Sequence, residues 1–165
     1  MPQDLATVQD ALRHVLVTLS DRFEHAVADA PPGFGDFDPG RETRRPVEIV
    51  RHLGGLMRFA GALWSGTAAP PAASGSWEAE VVAFRVELRA LDTLLRDRPT
   101  PTGETSAAKV LQGPLLDAVT HVGQLLTLRR LAGAPVPPRS YVRVDMAELD
   151  TPEAEDGDRR SGAGR

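Results

Sequence analysis

The amino-acid sequence predicts an all-α protein, a four-helix bundle made from a single domain of 165 residues. Apolar residues recur every three or four positions in four separate stretches, which is the spacing of amphipathic helices. Segments rich in proline, glycine and small polar residues separate these stretches and interrupt the helical periodicity. The alternation of apolar and polar residues that indicates strands is almost absent.

The four helices can be placed along the chain in order. The first is predicted over residues 4–29, the second over Pro46–Ser65, the third over Trp77–Asp97 and the fourth over residues 107–132. A proline in a first helical turn is favourable, so the second helix is expected to begin at Pro46. Pro114 lies inside the fourth segment, where the missing N–H predicts a kink or a short separate turn.

The chain changes character towards its C-terminus. We predict a domain over residues 1–148, in which a C-terminal segment docks on the helices through Tyr141, Val142 and Met146. Residues 149–165 are polar and rich in glycine, which predicts a disordered tail.

Composition and the absence of certain motifs disfavour several classes of function. The net charge of −4 and the pI near 5.6 disfavour nucleic acid and anionic lipid as partners. The sequence has no apolar run long enough for a membrane span and no secretion signal, so a cytoplasmic location is predicted. Cysteine is absent, which leaves histidine and carboxylate as the ligands for any metal. Glycine-rich nucleotide motifs and the nucleophile-elbow motif are also absent.

Three side chains form a candidate metal site. His52 is predicted to face the bundle interior from the second helix, near the margin of its apolar stripe. Asp117 and His121 are four residues apart and therefore neighbours on one face of the fourth helix. That face also carries Leu128, so we expect it to be buried, and a buried carboxylate is costly unless it is paired or binds a metal.

Such a site would leave a coordination position open. Histidine nitrogen and carboxylate oxygen suit zinc, nickel, iron or manganese, and three protein ligands are typical of a catalytic site rather than a closed structural one. Gln124, one turn beyond His121, is a candidate to orient a ligand or the bound nucleophile. The same residues also permit a simpler interpretation, in which Asp117 and His121 only pair with each other and His52 is a hydrogen-bonded core residue.

Two motifs resemble the DinB-like and YfiT-like proteins. Residues 45–52, RPVEIVRH, resemble the segment that ends in that family's first metal histidine. Residues 111–124, LQGPLLDAVTHVGQ, resemble its last motif, with Asp117 in place of the first histidine of the pair and Val122 in place of an arginine. Residues 128–136, LRRLAGAPV, continue the pattern of a subgroup that has this aspartate.

The resemblance implies a four-helix bundle with one divalent metal ion held by His52, Asp117 and His121. Relatives include thiol-dependent transferases, so the implied function is activation of a low-molecular-weight thiol or of water against a small-molecule substrate, as in a transferase or a hydrolase. The carboxylate of Asp117 weakens the Lewis acidity of the ion and favours harder metals, so a reaction of the three-histidine members does not transfer directly. The alternatives are a non-catalytic metal-binding bundle and a metal-free helical dimerisation module, and a homodimer is compatible with each.

Overall fold

A computed structural model describes residues 5–69, 74–102 and 105–143 of the chain. Within these residues every regular element is helical and no strand occurs, which confirms the predicted all-α class. The elements in chain order are α1 (Val8–Val27), a 3₁₀ turn (Phe34–Asp36), α2 (Pro46–Ser65), α3 (Trp77–Asp97), α4 (Ala107–Val110), a π-helical stretch (Leu111–Leu115), α5 (Leu116–Leu131) and another 3₁₀ turn (Tyr141–Arg143).

Local side chains determine where the first three helices begin. The Thr7 hydroxyl accepts a hydrogen bond from the backbone of Asp10, whose carboxylate accepts one from the Thr7 backbone, so α1 starts after Thr7. Pro46 opens α2, and the Glu48 carboxylate accepts a hydrogen bond from the backbone N–H of Arg45. The Ser76 hydroxyl accepts a hydrogen bond from the Ala79 N–H and so caps the start of α3. Both α2 and α3 span the predicted residues.

The fourth long helix is continuous but irregular. It consists of α4, the π-helical stretch and α5, which follow one another without a break. Pro114 lies in the π-helical stretch and cannot donate a backbone hydrogen bond, which is why the regular ladder is interrupted there. The irregularity that Pro114 predicted is therefore present as a wider turn, and the helix axis continues through it to Leu131.

The core lies between the long helices. Helix α2 packs along α3, α1 contacts α3 and α5, and α2 contacts α5. The largest side chains that are almost fully buried are Trp64, Phe23 and Phe84, and the rings of Phe23 and Phe84 lie 4.3 Å apart. Among the described residues, no helix is both long and apolar enough to cross a membrane.

Two buried carboxylates are paired with arginines. Asp92 is 3% exposed and accepts hydrogen bonds from Arg13 at 2.8 Å and from Arg96 at 2.7 Å. Glu80 is 5% exposed and accepts one from Arg51 at 2.7 Å. Since the buried charges are compensated by well-placed donors, the Arg13–Asp92 pair joins α1 to α3 and the Arg51–Glu80 pair joins α2 to α3.

Arg129 is buried near the end of α5. Helical spacing places it away from the stripe of the candidate ligands, which predicts a solvent or interface residue, whereas only 4% of it is exposed. The guanidinium donates hydrogen bonds to the carbonyl groups of Ala26, Ala28, Asp29 and Ala134. The last carbonyls of α1 have no partners within the helix, and Arg129 supplies donors to them from α5.

The segment after α5 contacts α1. The ring of Tyr141 lies under the Arg22 guanidinium, with 3.9 Å between the guanidinium carbon and the ring centre. His25 Nε2 is 2.9 Å from the Pro137 carbonyl oxygen. Val142, which was expected to help dock this segment, is instead 97% exposed, and Met146 lies outside the described residues.

Candidate metal centre

His52 reaches the site from the second turn of α2. Its neighbours Ile49 and Leu53 are buried, whereas the side chain of His52 is 33% exposed. The residue therefore lies at the margin of the apolar stripe, with one ring edge towards α5 and the other towards solvent.

Asp117 and His121 reach the site from the first turns of α5. Asp117 lies between the two imidazoles: its Oδ2 is 3.5 Å from His52 Nε2, and its Oδ1 is 3.5 Å from His121 Nε2. The two imidazole rings meet edge to face, with 4.5 Å between their centres. The three residues predicted from spacing are thus brought together, although they come from two helices, α2 and α5, that are not consecutive in the chain.

Gln124 holds the ring of His121. The distance between His121 Nδ1 and Gln124 Oε1 is 2.8 Å. Because an amide oxygen only accepts, this contact places the proton of a neutral imidazole on Nδ1 and leaves the Nε2 lone pair directed at Asp117. That tautomer is the one a metal ligand needs, and the contact is of the kind that orients histidine ligands.

The burial predicted for Asp117 is wrong. Its side chain is 47% exposed, so the cost of burying a carboxylate is not an argument for a metal here. The buried face of α5 is one residue further along and consists of Ala118, Val122, Leu125, Leu128 and Arg129. Asp117, His121 and Gln124 form the adjacent stripe, which faces a cavity.

The π-helical stretch explains this difference of one residue. In a regular α-helix at 100° per residue, Val110 and Ala118 would point about 80° apart, and Asp117 would lie closer to the direction of Val110. The π-helical stretch accommodates one extra residue, so Val110 and Ala118 both face the core and are fully buried. Asp117 is thereby turned out of the core and into the cavity.

The cavity has a volume of about 1000 Å³ and opens to solvent above the three side chains. One wall is the stripe of α5 that carries Asp117, His121 and Gln124, and it continues to Leu131. The other wall is the loop of residues 39–44, which precedes α2. The arrangement leaves room for a small molecule directly beside the candidate ligands.

The environment favours a neutral His52. Its pKa is lowered, first by partial burial, then by the neighbouring His121 and by the positive charge of Arg44, while Asp117 acts in the opposite direction. A histidine must be unprotonated to bind a metal ion. The surroundings of His52 therefore favour the form that can act as a ligand.

The donor set fits one divalent ion. One atom from each of His52, Asp117 and His121 can be chosen so that all lie within 4.8 Å of one another. Each imidazole Nε2 lies 3.5 Å from a different oxygen of the Asp117 carboxylate, and ligands at the usual zinc distances are about 3.4 Å apart in a tetrahedron.

Other side chains on α1 and α2 do not contribute to this centre. Glu48, one turn before His52, accepts a hydrogen bond at the start of α2. Trp64 is buried and donates to the Arg98 carbonyl, and Phe59 is 48% exposed. His14 is exposed on α1. Neither aromatic side chain lines the cavity.

Comparison of the chain with protein-family models, with curated proteins and with solved structures gave no match. The resemblance to the DinB-like proteins therefore depends on the motifs around His52 and His121 alone.

Sequence reasoning did not identify Arg41 and Arg44, which line the cavity. The available signal was the basic run that ends directly before Pro46. Helical periodicity says nothing about how a loop folds back, so the run could not be assigned to the site.

Proposed function

We propose that this protein is a divalent-metal-dependent enzyme of the DinB-like class, a four-helix bundle that binds one ion through His52, Asp117 and His121. The observation that carries the proposal is the convergence of these three side chains at the base of a solvent-accessible cavity. A purely structural ion is usually enclosed by four protein ligands, whereas this donor set has three and faces open space.

The chemistry follows from the donor set. A bound divalent ion would act as a Lewis acid and lower the pKa of a water molecule or a thiol towards neutrality. Asp117 contributes the only formal negative charge of the set and lies 3.5 Å from each imidazole. Gln124 fixes the ring of His121 through Nδ1. The proposed reaction classes are a thiol-dependent transferase and a hydrolase, both acting on a small molecule in the cavity.

The metal-free alternative has one observation in its favour. Asp117 is half-exposed, so water can solvate it and its presence requires no ion. If the three side chains only pair with one another, the protein would be an interaction module, and the cavity would not be an active site. A homodimer and a cytoplasmic location stay predictions under either function.

Metal binding is tested by elemental analysis of protein stripped with a chelator and reloaded with zinc, nickel, manganese or iron(II). We expect one ion per chain in the wild type and loss of that ion in His52→Ala and His121→Ala. His14→Ala is the matched control because His14 is exposed on α1, and it should retain the ion. A wild type that binds none of the four metals, or a control that loses as much as the variants, contradicts the site.

An open coordination position is tested with the cobalt(II)-loaded protein. Azide and 2-mercaptoethanol should change its visible absorption spectrum if an exogenous ligand reaches the ion. An unchanged spectrum, together with a melting temperature that falls sharply on metal removal, would identify a structural ion and overturn the catalytic proposal.

A further inference from the structure

The cavity has a basic rim opposite the candidate ligands. Arg41 and Arg44 belong to the loop of residues 39–44 and both line the cavity. Two arginines therefore line a space whose base carries a single carboxylate, Asp117.

These two arginines differ from several arginines on the helices that are paired with carboxylates. Arg51 and Arg85 donate hydrogen bonds to Glu80 and Glu24, respectively. Over residues 5–69, 74–102 and 105–143, no hydrogen bond or ion pair occupies the guanidinium of Arg41 or Arg44. Their donors are consequently available to a ligand, and guanidinium groups match the geometry of carboxylate and phosphate oxygens.

The backbone holds the loop in an unusual conformation. Gly40, Arg41 and Glu42 have φ values of 78°, 55° and 58°, all in the left-handed region. Residues other than glycine adopt this region at a cost and keep it where the surroundings enforce it, which happens often at ligand-binding sites. Here the Gly40 N–H donates to the Asp38 carboxylate at 2.8 Å, and the Thr43 N–H donates to the Gly40 carbonyl at 3.1 Å.

The other side of the cavity offers apolar surface. Ile49 and Leu128 are buried but contribute to the lining, and Leu131 is 62% exposed although it is a large apolar residue. Water contact with Leu131 would be removed by an apolar group placed in the cavity. The cavity thus combines a basic rim, an apolar wall and the candidate metal ligands.

We propose that the cavity binds a small organic anion, with its carboxylate or phosphate group on Arg41 and Arg44 and its apolar body against Leu128 and Leu131. The inference rests on the proposed function only for the position of the reactive end of the ligand, which would lie beside His52 and His121. Binding of the anionic group itself depends on the two arginines and not on an ion.

The test is an NMR titration of metal-free protein, at a pH above the ordinary pKa of histidine, with hexanoate, hexyl phosphate and 1-hexanol. Metal-free protein is used because an ion would itself attract the oxyanions. Variants are Arg41→Gln, Arg44→Gln and the double variant. The matched control is Arg45→Gln, because Arg45 is the next residue in the chain, is exposed, and does not line the cavity.

We expect at least one of the two anions to bind at least tenfold more tightly than 1-hexanol, with shifted resonances at Leu128 and Leu131. The double variant should lose this preference, and Arg45→Gln should keep it within threefold. The anion that binds more tightly identifies the head group as carboxylate or phosphate. Equal binding of hexanol and both anions, or an equal loss in Arg45→Gln, would overturn the proposal.

Failure of this proposal is distinguishable from failure of the metal site. Elemental analysis of the double variant should still find one zinc ion per chain after reloading, since neither arginine is a candidate ligand. A protein that binds anions but no metal would leave the anion site standing and refute the metal-dependent function. A protein that binds zinc without any preference for anions would refute the anion site alone.

Discussion

Asp92 and Asp117 occupy similar arrangements with opposite consequences. Each carboxylate lies between two basic side chains, Arg13 and Arg96 for Asp92 and two histidines for Asp117. The side chain of Asp92 is 4% exposed and its closest arginine atoms lie at 2.8 and 2.7 Å. That of Asp117 is 47% exposed, and both of its histidine distances are 3.5 Å.

The two clusters differ in whether the basic side chains have a nitrogen lone pair that can bind a cation. Guanidinium groups are permanently charged donors without a lone pair, so they satisfy Asp92 and cannot bind a cation. A neutral imidazole has one nitrogen lone pair, and the bond from His121 Nδ1 to Gln124 directs that lone pair at Asp117. The first cluster is therefore suited to holding α1 against α3, and the second to holding an ion.

The largest expected effect is stabilisation of the fold by zinc, which we expect to bind at the Asp117 cluster and not at the Asp92 cluster. Zinc at a thousand times its dissociation constant should raise the free energy of unfolding by about 4 kcal/mol. Asp117→Asn should lose most of this gain, because the amide is a poorer and uncharged ligand. Urea unfolding with and without zinc measures this gain in the free energy of unfolding. Asp97→Asn is the control, because Asp97 is exposed. Equal stabilisation of wild type and Asp117→Asn would place the zinc elsewhere.

The next largest effect is the loss of stability expected when the charge of Asp92 is removed. Asp92→Asn should lower the free energy of unfolding by about 3 kcal/mol, because Arg13 and Arg96 lose their common counter-charge in a site with little water. The loss should be independent of zinc. Thermal unfolding against Asp97→Asn checks the prediction, and a change as small as that of the control would show that the buried cluster contributes little to stability.

A smaller effect is expected at the residue that orients His121. Gln124→Ala should weaken zinc binding by about 10- to 100-fold, as is usual for partners of metal ligands. Competition with a chromophoric chelator measures the affinity. Gln112→Ala, an exposed glutamine in the π-helical stretch, is the control, and an effect of the same size there would mean that the His121 contact is not the cause.

The smallest effect completes the comparison. In metal-free protein Asp117→Asn should change the free energy of unfolding by no more than about 0.5 kcal/mol, since the carboxylate is half-exposed. Urea unfolding in the presence of a chelator provides the value. A loss that approaches the one expected for Asp92→Asn would indicate that the ion pairs of Asp117 with His52 and His121 are structural after all.

Much of the fold could be predicted from the sequence because local signals determine it. The apolar periodicity and the start signal at Pro46 predicted α2 and α3 at their observed bounds. The three candidate ligands could be proposed because helical spacing relates Asp117 to His121 and the motif relates both to His52. Their convergence requires the packing of α2 against α5, which spacing alone does not specify.

The features that could not be predicted from the sequence have a common physical cause: each depends on tertiary contacts. Arg129 has no apolar signal and is buried only because the carbonyls at the end of α1 need donors. Ala118 is too small to mark a buried face, yet it is fully buried. The loop that carries Arg41 and Arg44 is positioned by its own hydrogen bonds and by the cavity wall, which no periodic pattern records.

The π-helical stretch has a consequence for insertions and deletions. A helix that stores one surplus residue in a wide turn can lose a residue there and relax to the regular 3.6-residue turn while the segments on either side keep their orientation. The same deletion placed after Leu116 would rotate every later residue by about 100°, so that Val122 would take the place of His121 and His121 that of Thr120. Within this one helix, the position of a length change matters more than the identity of the residue removed.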